Sequence, residues 1–344
     1  EEPDARIAHV RICGSPGRET AQGDPARAWA ARHLPGFPDY GVFLVAPSTY
    51  GNAGPRLLGE HDVLRVVDEM RAAYRIDDAR IAITGYSLGG TVSFAVPLHY
   101  PDRFSASAPL CGYPNLATYE SVRGAPHKPW EETMIARRYL GNYAENGLFL
   151  PLHVVHGALD GPGRSAGMVS RYKELGYSVA FDVPDDLGHN VWDHGYKDGR
   201  MVGWLKARKR PTAPHRVRLT TGEARYDTSY WVRLLGLRGG VFSADPAGST
   251  ELASIDAEWR PGPREVAVVT KHVGSFALDL RPLDVPEGAR VVVDGEALDI
   301  PLSIRELYFE RASSGWEVAS VPPPRKGNKR AGVSGPLDDV LRHK

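Results

Sequence analysis

Hydrophobic positions fall into two patterns along the chain, and the change between them comes near residue 210. Before it, short β-rich apolar runs alternate with longer stretches of helical spacing. The runs Ile7–Ile12, Val42–Ala46, Arg80–Thr84, Ala106–Leu110, Leu152–His156 and Val179–Val183 predict strands. Between them Glu60–Tyr74, Gly89–Tyr100, Gly163–Leu175 and Val191–Arg208 predict helices. In the first of these, Val63, Val66, Val67 and Met70 recur on one face with charges between them. Such alternation implies an α/β unit over residues 1–210, a doubly wound, mostly parallel sheet with helices on both faces.

The linker Pro211-Thr212-Ala213-Pro214 follows, and the period then drops to two. Residues 216–219, 230–234, 266–269 and 289–293 alternate in this way, separated by turn signals such as Asp294-Gly295. They predict a smaller C-terminal antiparallel β domain, of sandwich type, over residues 214–321. Residues 322–344, with Pro322-Pro323-Pro324 and the basic run Lys326–Arg330, read as an extended tail. The basic end of the last predicted helix, Lys206 to Arg210, suits a helix C-terminus.

One stretch of the α/β unit breaks its rhythm. Residues 112–147 are rich in Pro, Gly and Tyr, with a helix predicted around Glu131–Leu140. An insertion at the C-terminal ends of parallel strands lies over the crevice where such sheets bind ligands. That makes it a lid or substrate wall, with Tyr113, Tyr119 and Trp130 as candidate contacts; the competing reading is that these aromatics pack the insertion itself.

Composition narrows the function classes. Lys+Arg and Asp+Glu balance at 42 each, so nothing points to a nucleic-acid or anionic membrane footprint. No apolar run approaches the roughly 20 residues of a membrane helix. The chain opens Glu1-Glu2-Pro3-Asp4, which fits a cleaved leader, a trimmed chain or a fragment, and leaves the compartment open. Cys13 and Cys111 form neither a disulfide framework nor a metal pattern. They would end the strands on either side of the Arg80–Thr84 strand, about 9.6 Å apart. That exceeds the ~7 Å limit for bridging, so two free thiols are expected.

The chemistry centres on Gly85-Tyr86-Ser87-Leu88-Gly89-Gly90, a GxSxG pattern between a predicted strand and a predicted helix. A nucleophilic serine needs a strained turn that lifts its hydroxyl clear of the sheet. Side chains at Gly85 and Gly89 would there be expected to collide with neighbouring backbone, and the helix N-terminus favours developing negative charge. Tyr86, beside the nucleophile, is a candidate substrate contact.

A serine hydroxyl needs a base, and the base needs an orienting acid. In this architecture both follow on later loops, acid first. Asp160 ends the turn after Leu152–His156, and His189 lies in the loop after Val179–Val183. Asp185 and Asp186 share the short loop of His189, an awkward origin for a carboxylate that must reach the far ring nitrogen. His194 falls within a helical pattern, and His153 and His156 lie on the strand, where a satisfied core histidine is usual; His156-Gly157 shapes the acid turn. The oxyanion donors expected are the N–H of Leu88 and of Ser15, in the loop Cys13-Gly14-Ser15-Pro16-Gly17. No HExxH, CxxC or Walker loop is present, so no metal or cofactor is implied. Gly236–Gly240 reads as a hairpin loop.

The runs Gly59-Glu60-His61-Asp62-Val63, Tyr74-Arg75-Ile76-Asp77, Arg80-Ile81, Gly85–Gly90 and Tyr100-Pro101-Asp102-Arg103-Phe104 together resemble the prolyl oligopeptidase-like and feruloyl/acetylxylan esterase branch of the α/β-hydrolases, over about residues 7–208. The resemblance implies Ser87, Asp160 and His189 as the triad, and a secreted or periplasmic setting. Cys13-Gly14 stands where the family usually has His-Gly, which implies an altered oxyanion loop. Tyr230-Trp231-Val232, Gly315-Trp316 and Ser334–Asp339 resemble a β module appended in some large bacterial hydrolases, where the chain usually continues.

The reading is a metal-independent serine hydrolase that cleaves carboxylic esters through an acyl-enzyme, on a small-molecule or polysaccharide-linked substrate. A peptidase of the same mechanism is the alternative. A second class is a carbohydrate- or protein-binding fragment with an idle hydrolase half, for which Tyr226, Tyr230 and Trp231 would offer a sugar platform if they did not turn into the β core. Oligomeric state is not legible.

Overall fold

The computed structural model describes residues 40–47, 54–55, 59–114, 126–238, 251–286, 288–298, 306–319 and 321. The expected strand Ile7–Ile12, Cys13, Ser15, Tyr119 and the tail at 322–344 lie outside the described residues.

Four strands form a parallel sheet in the order β1-β2-β3-β4: β1 Ala82–Tyr86, β2 Ala106–Leu110, β3 Leu152–Val155 and β4 Val179–Asp182. Helix α1, Gly59–Ala73, precedes β1. Helix α2, Leu88–His99, crosses from β1 to β2. Helix α3, Pro129–Arg138, and a 3-10 stretch, Leu140–Phe149, lie between β2 and β3. Helix α4, Gly163–Glu174, crosses from β3 to β4. Helices α5, Trp192–Tyr196, and α6, Arg200–Lys206, follow β4.

Alternation along the strands sends side chains to two cores. Leu152 and Val154 join Val63, Phe94, Leu98, Tyr143, Met168 and Tyr172 on the face under α1, α2 and α4. Ala106, Ala108, Leu110 and Val155 join Tyr196, Met201 and Leu205 on the face under α5 and α6. Burying both faces is what a parallel sheet requires.

Three expectations are corrected here. Residues 42–46 form no strand; Phe43 instead packs its ring 4.8 Å from that of Tyr74. The helix expected over Val191–Arg208 is broken, because Asp198 and Gly199 take left-handed φ of 61° and 66° and turn the chain between α5 and α6. The far half of the expected lid is core: Tyr143 and Ala144 are fully buried in the 3-10 stretch, which packs on α2 and α4.

Beyond the linker, two five-stranded sheets enclose one hydrophobic cluster. The first has the order β12-β11-β9-β8-β5, from β5 Arg216–Thr221, β8 Ala253–Arg260, β9 Glu265–Lys271, β11 Arg290–Val293 and β12 Glu296–Leu298. The second has the order β14-β13-β10-β7-β6, from β6 Thr228–Ser229, β7 Val232–Leu237, β10 Val273–Asp279, β13 Glu306–Arg311 and β14 Trp316–Ala319. The strands pair antiparallel, as expected, except that β9 and β11 run parallel. Of the three aromatics weighed as a sugar platform, Tyr226 and Trp231 turn inward, each 2% exposed, and Tyr230 packs partly buried against the β core.

The two regions interlock. Tyr226 reaches across to the first core, stacking on His99 at 3.9 Å and donating its hydroxyl to Glu60 Oε2 at 2.7 Å, while His99 Nδ1 meets Glu60 Oε1 at 2.6 Å. Asn146 Nδ2 donates to the carbonyls of Leu98 and Thr220, and its Oδ1 accepts from the Thr220 N–H.

Candidate active site

Every functional loop of the parallel sheet emerges at the C-terminal ends of its strands, where open α/β sheets place their ligands. Strand β1 runs into Ser87, whose φ of 56° and ψ of −115° are strained for a residue with a Cβ. The Ser87 N–H donates to the Leu110 carbonyl at 2.8 Å, fixing the turn against the end of β2. A Cβ on Gly85 would lie 2.5 Å from the backbone of Gly89, so that glycine is demanded by close approach. At Gly89 a Cβ would meet nothing within 4 Å, which corrects the expected collision there. The tight position is Gly90, where a Cβ would lie 2.4 Å from the Leu110 carbonyl oxygen.

Ser87 Oγ lies 2.9 Å from His189 Nε2, and His189 Nδ1 lies 2.8 Å from Asp160 Oδ2. The turn carrying Asp160 is seated directly on the loop carrying His189. Ala158 N–H donates to the Pro184 carbonyl and Leu159 N–H to that of Leu187, each at 3.0 Å. A Cβ on Gly157 would stand 2.0 Å from the Gly188 carbonyl oxygen, so only glycine lets the two loops meet.

Burial raises the energy of the Asp160 carboxylate, but the His189 N–H and nearby charge outweigh it and hold its pKa below the usual range. The acid is therefore ionised at neutral pH and fixes the His189 tautomer with the proton on Nδ1. That leaves Nε2 free to accept the Ser87 proton. The His189 side chain is 40% exposed, open to a substrate and to water.

Four of the competing residues go elsewhere. Asp185 and Asp186 are exposed. His194 pairs with Asp182 at 2.7 Å, and the His153 ring packs edge-on to Trp204. Leu88, expected as an oxyanion donor, opens helix α2 directly after Ser87; Ser15 lies outside the described residues.

Around the serine, the Tyr86 ring lies 5.0 Å from that of His189 and 5.9 Å from Trp192. Tyr113 donates its N–H to Thr91 and accepts Arg164 Nη1 at its hydroxyl, 2.9 Å away. Trp130 stands 58% exposed on the first turn of α3. Trp192 and Arg164 were not singled out by motif; no local pattern marks them, since the fold alone brings them beside Tyr86 and Tyr113.

Cys111 ends β2 with φ 48° and a fully buried side chain, and it is a free thiol. Burial pushes its pKa up to about 11, so it remains protonated. Its Sγ, Asp160 and His189 come together closely enough for a metal triplet. The set suits one poorly: the thiol resists ionisation and His189 Nδ1 is already engaged with the carboxylate.

Residues 49–197 match the prolyl oligopeptidase family model. A stretch of 52 residues, 15% of this chain, is 36% identical to poly(3-hydroxyalkanoate) depolymerase C of Paucimonas lemoignei and covers 13% of that protein. Among solved structures, the chain is similar to a thermostable esterase, at 22% identity and a TM-score of 0.33, covering 44% of this chain and 36% of that one. It is also similar to the Pyrococcus horikoshii acylaminoacyl peptidase, at 22% identity and a TM-score of 0.35, covering 42% of this chain and 25% of that one. The chain thus spans well under two thirds of the length of each of these relatives.

Proposed function

We propose that the chain, whose residues 49–197 match the prolyl oligopeptidase family model, is a serine hydrolase that cleaves carboxylic esters through a Ser87 acyl-enzyme. The observation that carries the reading is the unbroken hydrogen-bonded chain from Ser87 through His189 to Asp160.

His189 Nε2 takes the Ser87 proton as Oγ attacks the ester carbonyl carbon. The carbonyl oxygen becomes an oxyanion at the N-terminus of α2, facing the Leu88 N–H and the helix dipole. Asp160 holds the imidazolium that forms. The intermediate collapses, the C–O bond to the alcohol breaks, and His189 returns its proton to the leaving alkoxide. Water then enters, gives a proton to His189 and attacks the acyl carbon. As the acyl–Oγ bond breaks, His189 returns that proton to Ser87 Oγ and the acid leaves. Tyr86 and Tyr113 form the walls against which acyl and alcohol groups lie.

The ester substrate is supported by the name of the depolymerase relative, whose polymer is linked by esters. The family description favours a second reading, peptide hydrolysis by the same groups with an amine as leaving group.

Hydrolysis of p-nitrophenyl acetate and butyrate, beside matched p-nitroanilides, tests both. Ester turnover should exceed amide turnover and collapse in Ser87→Ala by up to about 10⁶-fold. Equal background rates in wild type and variant would overturn the hydrolase; faster anilide turnover would replace ester with peptide.

A further inference from the structure

Besides His189, a second imidazole lies against the Asp160 carboxylate, and the triad does not account for it. His156 Nε2 stands 3.1 Å from Asp160 Oδ2, the same oxygen that His189 engages. The His156 ring is fully buried just past the end of β3, and the Tyr113 ring lies edge-on to it at 6.4 Å. Its Nδ1 lies 2.8 Å from Ser165 Oγ on α4, also fully buried, and Ser165 Oγ is 3.0 Å from the Gly112 carbonyl oxygen. On the other side, the Cys111 thiol donates to the His189 carbonyl at 3.3 Å.

Burial disfavours the charged form of His156 more than Asp160 favours it, and Arg164 adds to the effect of burial. The ring is therefore neutral, with one N–H to place and two neighbours to receive it. With the proton on Nδ1, it would go to Ser165, whose own hydroxyl would turn to Gly112. The bare Nε2 lone pair would then face an ionised carboxylate. With the proton on Nε2, the N–H faces Oδ2 and the Ser165 hydroxyl turns to donate to Nδ1. The first arrangement sets a bare nitrogen lone pair 3.1 Å from a carboxylate oxygen inside the protein, a repulsion that outweighs the Ser165–Gly112 bond the second gives up, so the second arrangement wins. The contact is not a well-aligned bond, since Nε2 has no partner in good hydrogen-bond geometry. Its effect is on the direction and charge of the carboxylate.

We propose that His156, with its tautomer set by Ser165, is a positioning residue that shares the Asp160 oxygen with His189 and aims the carboxylate at the triad base. The inference rests on the reading of Ser87, His189 and Asp160 as a catalytic triad.

Two measurements test it. In ¹⁵N-histidine-labelled wild-type protein near neutral pH, His156 should show a protonated Nε2 and a bare Nδ1. In His156→Phe, which keeps a ring and removes the N–H, kcat should fall several-fold, up to about tenfold, as the carboxylate loses one of the two rings that aim it. KM should hold, and the acidic limb of the kcat/KM profile should move up by about half a unit, because His189 no longer shares the carboxylate. His156→Gln, which can still offer an N–H, should recover part of the loss. A purely structural residue would leave the limb in place. A His156 proton on Nδ1 would overturn the proposal, as would a folded His156→Phe with unchanged kcat and pH profile. Should that variant not fold, the tautomer decides. Wild-type protein inert toward every ester and amide would count against the hydrolase reading, while the tautomer would still be read.

Discussion

Replacing Asn146 with alanine removes three hydrogen bonds, two of them crossing from the parallel sheet's covering layer to Thr220 of the C-terminal sheets and one tying the 3-10 stretch to α2. The amide nitrogen donates to the Leu98 carbonyl at 2.7 Å and to that of Thr220 at 3.0 Å; the amide oxygen accepts from the Thr220 N–H at 2.6 Å. Asn146 is 3% exposed, so water cannot easily replace the side chain. At about 1 kcal/mol net for each bond, the loss is about 3 kcal/mol, more than a hundredfold in the folding constant. Urea titration at neutral pH, followed in parallel by tryptophan fluorescence and by near-ultraviolet circular dichroism, measures it. The midpoint should drop sharply by both probes together. A loss below about 1 kcal/mol would refute the reasoning, because it would mean that the three backbone groups find other partners.

Three further outcomes follow from the site and its supports. Gly157→Ala should fold yet lose about a hundredfold in kcat, since its Cβ would push the Gly188 peptide and with it His189; circular dichroism alongside initial rates checks this. Gly89→Ala should raise stability by about 0.5–1 kcal/mol, having open space on a helix, whereas Gly90→Ala should lower the melting temperature by colliding with Leu110. Burial works to raise the Glu60 pKa, but the His99 charge and hydrogen bond win, with Arg225 and Tyr226 acting in the same direction, and lower it. A lowered folded value means that Glu60 adds stability above its unfolded value of about 4.3. That contribution is lost as pH falls through the folded value. Glu60→Gln should therefore lower the melting temperature at neutral pH and narrow the gap to wild type in acid.

What could be read in the sequence was local or ordered along the chain. The nucleophile turn is legible because strand, glycines and helix lie within ten residues, and Asp160 and His189 because each ends the loop after a strand. Contacts set by packing were not legible. His156 looked like a core histidine because its distance to Asp160 depends on how the acid turn curls back. Gly89 and Gly90 exchange roles because the approach that matters is to Leu110, on another strand. The helix across Val191–Arg208 failed because apolar spacing was allowed to override Asp198-Gly199, a turn signal in plain view. Strand β8 was passed over because Asp256 and Glu258 interrupt its apolar residues. They are its outward face, and Asp256 meets Arg216 and Arg218 of β5 there.

The junction of Glu60, His99, Tyr226 and Asn146 bears on how this protein could be divided or recombined. A cut at the proline-flanked linker would appear natural by chain connectivity, yet it would strip Tyr226 from a buried carboxylate and Thr220 from a buried amide. The helix that loses this cover, α2, is the one that begins beside the nucleophile. The half that carries Ser87 is thus a poor candidate for transplantation on its own, and a swap that exchanged the C-terminal sheets would have to carry the matching tyrosine and strand β5 backbone with it.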